Sequence, residues 1–328
     1  MDCVSFEYFH RKMHPAQVEN REYPFTGMKI DDSSFLETGE SRFICRRCFK
    51  SRKYFCYNCN LALEELADRI PKVKLPIKVD IIKHKREIEG KSTSVHAAIL
   101  SDDVRVYLHP DIPDYSQESG VFLVYPSSTS ISIMHLLQGQ TELKLKENFG
   151  LSKDKCMGTL LSKKLDEVIA DDGKTEEMEL KEYKSVEELP VKKIVFIDST
   201  WNQSRSIYTD ERVKRLKTIV IQTRLSNFWR HQRGTPRWYL ATIEAIHQVL
   251  LELHVYAFGL DPNYRGLDKL EVTLANPPMR NPKEDTDSAV QPYNGQYDNL
   301  LFFFQHMYQL IHSYYDVSEL KAYKRPTE

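Results

Sequence analysis

Between Lys192 and Gln203 the chain reads KKIVFIDSTWNQ: a β-branched apolar run that stops abruptly at Asp-Ser-Thr-Trp and passes into a polar, helix-like stretch. A strand that is apolar on both sides is buried on both faces, as in a parallel sheet covered by helices. The carboxyl ends of such strands face the ligand crevice. Asp198, Ser199, Thr200 and Trp201 therefore stand where chemistry is expected. Asp198 or Ser199 also suits a plain helix cap, but a large aromatic beside the cap calls for a packing partner or a ligand to stack on.

The rest of the pattern agrees with this reading. Strand-like runs at 75–82, 104–108, 120–125, 193–197 and 218–223 alternate with helix-like runs at 92–100, 204–216, 240–258 and 297–315. Ile243, Ile246, Leu250 and Leu253 recur at helical spacing, as do Leu300, Phe303, Met307, Leu310 and Ile311, giving two core faces. The interleaving predicts an α/β fold with a mostly parallel sheet. No apolar run reaches the length of a membrane span. The acid-bearing N-terminus with no apolar core predicts no secretory signal, and hence a reducing compartment in which paired cysteines point to metal before disulfide.

Four of the six cysteines form two pairs, Cys45-x-x-Cys48 and Cys56-x-x-Cys59. Four soft thiolates make a tetrahedral zinc set, and a four-sulfur site is closed, so the metal is expected to be structural. Disulfides or inert thiols are the alternatives. There is no GxGxxG, Walker loop or HExxH, which leaves a standard nucleotide fold and a catalytic zinc without support.

Formal charge nearly balances, 46 basic against 47 acidic residues, but its distribution does not. Residues 42–91 hold 14 Lys/Arg and 6 acids, residues 210–240 hold 8 and 2, and residues 166–188 hold 10 acids and 3 lysines. The basic stretches carry aromatics (Phe49, Tyr54, Phe55, Tyr57), a composition suited to phosphates and unpaired bases. The candidate RNA-binding residues are Arg46, Arg47, Lys50, Arg52, Lys53, Lys83, His84, Lys85, Arg86, Lys91, Arg224, Arg230, His231 and Arg233. A solvated face with lysine stems over apolar surface is the plain alternative for any one of them. The expected organisation is an N-terminal extension, partly disordered, to residue 40; a zinc-knuckle module at 41–70; a catalytic domain at 71–315 with a flexible acidic insertion at 152–190 and a loop insertion at 259–293; and a tail at 316–328.

Asp198-Ser199-Thr200-Trp201 resembles the D-x-T-W motif of the DTW-domain family. FWRHQ (228–232), LATIEA (240–245), KHKRE (83–87) with GKST (90–93), LVYPS (123–127) and QYDNLLFF (296–303) are similar to further blocks of that family, in order from about residue 41 to 312. The last is similar to the eukaryotic branch that modifies the tRNA D-loop. Lys85 stands where relatives carry Pro, and Ala241 where they carry Ser. The resemblance implies a SPOUT-like fold with a C-terminal knot, and transfer of the 3-amino-3-carboxypropyl (acp) group of S-adenosylmethionine to N3 of a D-loop uridine of tRNA, giving acp3U and methylthioadenosine. It also implies nuclear residence with a cytoplasmic share.

Such chemistry needs a base for the weakly acidic N3–H and an acp carbon held in line, with the uridine turned out of its stack. Asp198 is the candidate base, and Thr200 and Trp201 complete the candidate catalytic set. Leu123, Tyr125, Pro126, Ser127, Asp198, Ser199, Arg230, Thr242 and Glu244 are the candidate cofactor-binding residues. Trp201 would be a wall against adenine or the target base, and Ser199 and Thr200 would bond the amino-acid end. Arg230 suits a carboxylate or phosphate. Glu244 suits either the ammonium group or its own helix dipole. His84, Glu87 and Thr93 resemble positions near the substrate. Two other readings stay open: an S-adenosylmethionine-dependent RNA methyltransferase, and a non-catalytic zinc-containing RNA-binding protein.

Overall fold

Two short hairpins precede the central sheet. Strand β1 (Phe43–Ile44) pairs antiparallel with β2 (Ser51–Arg52), and β3 (Phe55–Cys56) with β4 (Leu61–Ala62), followed by the single-turn helix α1 (Glu64–Ala67). The structure is a computed structural model and describes residues 23–37, 42–139, 181–232, 234–282, 290–316, 319–325 and 327; Glu89, Trp201 and Asn202 are described in their backbone alone. Each hairpin turn carries one CxxC pair. The residue after each pair, Phe49 (φ 57°) or Asn60 (φ 53°), takes the left-handed conformation that lets the turn close.

The central sheet has six strands: β5 (Lys78–Lys83), β6 (Val104–Leu108), β7 (Val121–Val124), β8 (Ile131–Ser132), β9 (Lys193–Asp198) and β10 (Lys217–Val220). Their spatial order is β6-β5-β9-β7-β10-β8, and every ladder is parallel. The late strand β9 lies between the early strands β5 and β7, with Lys83 opposite Asp198 and Leu123 opposite Val195.

Alternation along β9 fills both faces. Ile194 and Phe196 join the larger core cluster, while Val195, fully buried, joins the smaller one on the opposite side. The larger cluster packs under helices α2 (Ser94–Leu100), α3 (Ile133–Leu137), α6 (Thr242–Phe258) and α7 (Phe302–Tyr314); Ile207 of α4 (Trp201–Tyr208) and Val213 of α5 (Glu211–Lys214) belong to the smaller. Ile243, Ile246, Leu250 and Leu253 of α6 are fully buried or nearly so, each worth about 1.5–3 kcal/mol. The helix stops at Gly259 (φ 93°), where any Cβ would sit 2.6 Å from the Arg280 side chain.

Several boundaries differ from the sequence reading. The helix expected at 204–216 starts at Trp201 and breaks after Tyr208, because the Asp210 carboxylate accepts from Arg212 N–H at 3.1 Å and caps a new helix. The two-residue strand β8 and helix α3 were not expected. In α7 the buried face is Phe303, Phe304 and Tyr308, while Met307, Leu310 and Ile311 are only half-buried, a rotation about the axis. Of the N-terminal extension, residues 23–37 pack on the larger core cluster, with Phe25, Phe35 and Leu36 buried and the Lys29 N–H donating to Asp298. Tyr183 and Leu189, placed by sequence in the acidic insertion, are buried in the core; residues 152–180 lie outside the described residues. In the tail, Ala322 and Arg325 are buried, and Arg325 donates to Gln232, Thr235 and Pro236.

Candidate active site

The last residue of β9 is Asp198, only 5% exposed. Both of its carboxylate oxygens are engaged: Ser92 Oγ donates to Oδ2 at 2.5 Å, and Thr242 Oγ1, in the first turn of α6, donates to Oδ1 at 2.7 Å. Its backbone carbonyl accepts from His84 N–H at 3.1 Å, so the loop that follows β5 is fastened to the end of β9. Glu87 sits on that loop. Burial, and then the charge of Asp198, push the Glu87 carboxyl up from its ordinary value. Two carboxylates and two hydroxyls thus meet at one strand end.

Beside them a cleft of about 220 Å³ opens at the carboxyl ends of β7, β9 and β10. Tyr125 and Pro126 line it after β7, Phe196, Ile197 and Ser199 along and after β9, and Gln222, Thr223 and Arg224 after β10. Trp238, Tyr239 and Leu240 close it, with Thr242 and Ala245 from α6. The walls are largely apolar and aromatic; the Thr242 hydroxyl lies at the Asp198 end, and Ser199 Oγ donates to Thr200 O at 3.1 Å. Thr200 caps α4, its N–H donating to Gln203 Oε1 at 3.2 Å. Tyr125 is held by a parallel stack on Tyr208, ring centroids 4.2 Å apart.

Behind the cleft lies a buried charged network. Glu244 is fully buried and accepts from Ser226 Oγ (2.6 Å), Asn227 N–H (2.8 Å) and Ala241 N–H (2.9 Å). Arg224, 1% exposed, donates to His247 Nδ1 at 3.1 Å. Guanidinium only donates, so His247 is neutral with its proton on Nε2, which faces Asp298 Oδ1 at 3.3 Å; burial holds its pKa below the usual value. Asp298 also accepts from Tyr264 OH (2.6 Å), Tyr293 OH (2.8 Å) and Lys29 N–H (2.7 Å).

The second constellation is the cysteine quartet. The sulfurs of Cys45, Cys48, Cys56 and Cys59 all lie within 4.8 Å of one another, and no disulfide joins them. Tetrahedral zinc–thiolate bonds place sulfurs about 3.8 Å apart, so this set can hold one metal ion. Backbone N–H groups of Cys48 and Arg47 pull the Cys45 thiol down to about 6, while burial pushes Cys59 up to about 12. Deprotonated together, four sulfurs this close would need a cation among them.

A family model described as DTW domain matches residues 53–312. The chain belongs to the DTW-domain family. Six curated relatives carry the name tRNA-uridine aminocarboxypropyltransferase 1. The Xenopus tropicalis protein is 36% identical over 312 residues, spanning 94% of this chain and 91% of its own. The mouse protein is 37% identical over 287 residues and the human over 279, each spanning 84% of this chain and 78% of its own. No solved structure matches the chain.

Of the DTW residues singled out from sequence, the fold gathers Tyr125, Pro126, Ser199 and Thr242 on one cleft, with Asp198 touching it through Thr242. Leu123 is fully buried within β7, and Ser127 is taken up by Thr218 at 2.6 Å and Ser130 at 3.0 Å. The Glu244 carboxylate is occupied by the Ser226–Asn227 loop and faces no cleft. Arg230 donates to Gly90 O at 3.1 Å, bracing the loop after β5.

Among the basic residues of this DTW chain, Arg46, Arg47, Lys50, Lys85, Arg86, Lys91 and His231 are exposed, and Lys83 and His84 half-buried. Arg52 is buried over the Tyr57 ring, Lys53 pairs with Glu37 at 2.8 Å, and Arg224 serves the interior. Arg233 lies outside the described residues. Sequence reasoning missed Ser92, Trp238 and Tyr239 as site residues. The first sits in the GKST block and the other two directly precede LATIEA, so proximity to those blocks was the available signal.

Proposed function

We propose that this chain transfers the acp group from S-adenosylmethionine to N3 of a tRNA D-loop uridine, forming acp3U and methylthioadenosine. The observation that carries the reading is the hydrogen bond between buried Asp198 and Thr242, a residue of the cleft wall, in a chain whose relatives bear the name of that activity. The cleft fits the donor. Its apolar, aromatic walls suit adenine and a sulfonium, and its volume falls below the usual 300–1,000 Å³ of a ligand pocket, which leaves the amino-acid arm outside it for an incoming base. When bound, S-adenosylmethionine supplies a carbon activated by its sulfonium.

The remaining work belongs to the protein. Tyr125, Trp238 and Tyr239 hold the flat heterocycle, and Ser199 bonds polar atoms of the ligand. Thr242 Oγ1 receives the N3 proton as its own proton passes to Asp198 Oδ1, so the carboxylate acts through the hydroxyl. The Ser92 bond steadies Asp198 in the orientation this transfer needs.

Zinc in the cysteine quartet, a SPOUT-like knot and nuclear residence with a cytoplasmic share are parts of the same proposal. The insertion of β9 between β5 and β7 supports a threaded backbone, and the four clustered thiols support zinc. The test is incubation of the purified protein with unmodified tRNA and S-adenosylmethionine, followed by nucleoside mass spectrometry. Acp3U with methylthioadenosine is expected. A methylated nucleoside with S-adenosylhomocysteine would instead make the chain a methyltransferase, and no turnover with intact tRNA binding would make it an adaptor.

A further inference from the structure

The two CxxC hairpins are alike in backbone and opposite in use. The second is packed inward. The Phe55 ring lies 4.8 Å from Phe303 and 5.3 Å from His96, centroid to centroid, and the Tyr57 ring lies against Gly90, 3.7 Å from where a Cβ would sit. Arg52 is buried over Tyr57. The first hairpin is turned outward. Ile44, Arg46, Arg47, Phe49 and Lys50 are all exposed, Phe49 to 77%. Arg46 meets Glu64 at 3.6 Å in an exposed pair of little worth; Arg47 and Lys50 have no ion-pair partner among the described residues.

Phe49 is unfavourable twice over in the isolated protein. Its ring stands in water, and its backbone holds φ 57°, a conformation that costs a side-chain-bearing residue energy and that glycine would adopt freely. The fold gains nothing from a ring there, and strain of this kind gathers where binding needs it. An exposed ring bordered by unpaired guanidinium and ammonium groups matches an unstacked base between phosphates. Phe43, Tyr54, Phe55 and Tyr57, the other aromatics of the module, are partly buried against the core.

We infer that the outward cysteine knuckle is a grip for single-stranded RNA, with Phe49 stacking on one unpaired base of the tRNA and Arg47 and Lys50 on the flanking phosphates. This rests on the tRNA reading proposed above.

The test measures affinity of the full chain for unmodified tRNA, by anisotropy across a salt series, for wild type, Phe49→Gly and Arg47→Ala/Lys50→Ala. Phe49→Gly should weaken binding roughly tenfold with an unchanged salt slope, while zinc content stays the same and Tm holds or rises. The double variant should lower the salt slope by about two. Wild-type affinity in Phe49→Gly overturns the inference and leaves the functional reading intact. Loss of zinc or of Tm in that variant also overturns it, since the ring would then be structural. Absence of tRNA binding by the wild type overturns both.

Discussion

Thr242 Oγ1 and Asp198 Oδ1 are 2.7 Å apart, joining the first turn of α6 to the end of β9. The hydroxyl lies on the cleft wall and the carboxylate lies behind it. Any proton that Asp198 takes from the cleft therefore passes through the hydroxyl, and the transfer depends on the geometry of that bond.

Thr242→Val keeps the volume and removes the relay. It is expected to lower the rate of acp transfer by roughly 10²–10⁴, the usual range for a lost proton-transfer group, with tRNA affinity unchanged. Asp198→Ala should abolish transfer while tRNA binding remains. Single-turnover assays with nucleoside mass spectrometry read both. Wild-type rates in Thr242→Val would mean that Asp198 reaches the substrate without it.

Glu244→Ala is expected to act on stability before affinity. It strips an acceptor from Ser226, Asn227 and Ala241 and leaves buried Arg224 with one fewer counter-charge. The cost should be about 3–5 kcal/mol, read by urea denaturation. A fully stable variant with a weakened donor complex would instead place the carboxylate on the ligand.

Asp298 should make the fold acid-sensitive. Burial alone would raise its carboxyl, but hydrogen bonds from His247, Tyr264 and Lys29 outweigh burial and hold it below the ordinary 3.8. The unfolded chain then binds the proton more readily than the folded one. The contribution is therefore complete above the unfolded value of about 3.9 and falls away as pH drops toward the folded value. In urea titrations Asp298→Asn should be less stable than wild type at neutral pH, and the gap should narrow on acidification below about pH 4. A gap that is constant with pH would contradict the assignment.

Cys48→Ser should lose bound zinc and destabilise the module at 41–70. Because Tyr57 rests on Gly90 in the loop that fastens to Asp198, the loss should also slow transfer. Metal analysis of the purified protein against a buffer blank, paired with the transfer assay, decides this; a wild type without metal refutes it.

α6 was readable in advance because it repeats the helical period over a long stretch, and β9 because a β-branched apolar run stops abruptly at Asp198. β8 was not, since two residues carry no period, and the break at Tyr208 was not, since Asp210 reads as an ordinary helix surface acid until its cap is seen. Charge misled at Arg224: sequence records a cation, whereas only the fold shows it buried against α6. Trp238 and Tyr239 escaped notice because an irregular loop brings them to the cleft.

The position of β9 also bears on the order in which the sheet is assembled. Its two neighbours precede it in the chain, β7 by about seventy residues and β5 by about one hundred and fifteen, and β9 fills the slot between them. Without β9, one edge of β5 and one edge of β7 lack a partner, and unpaired strand edges invite wrong ones. The carboxylate proposed to act in transfer is the final residue to fill that slot, so a molecule that closes its sheet has also assembled the strand end on which its chemistry is proposed to rest.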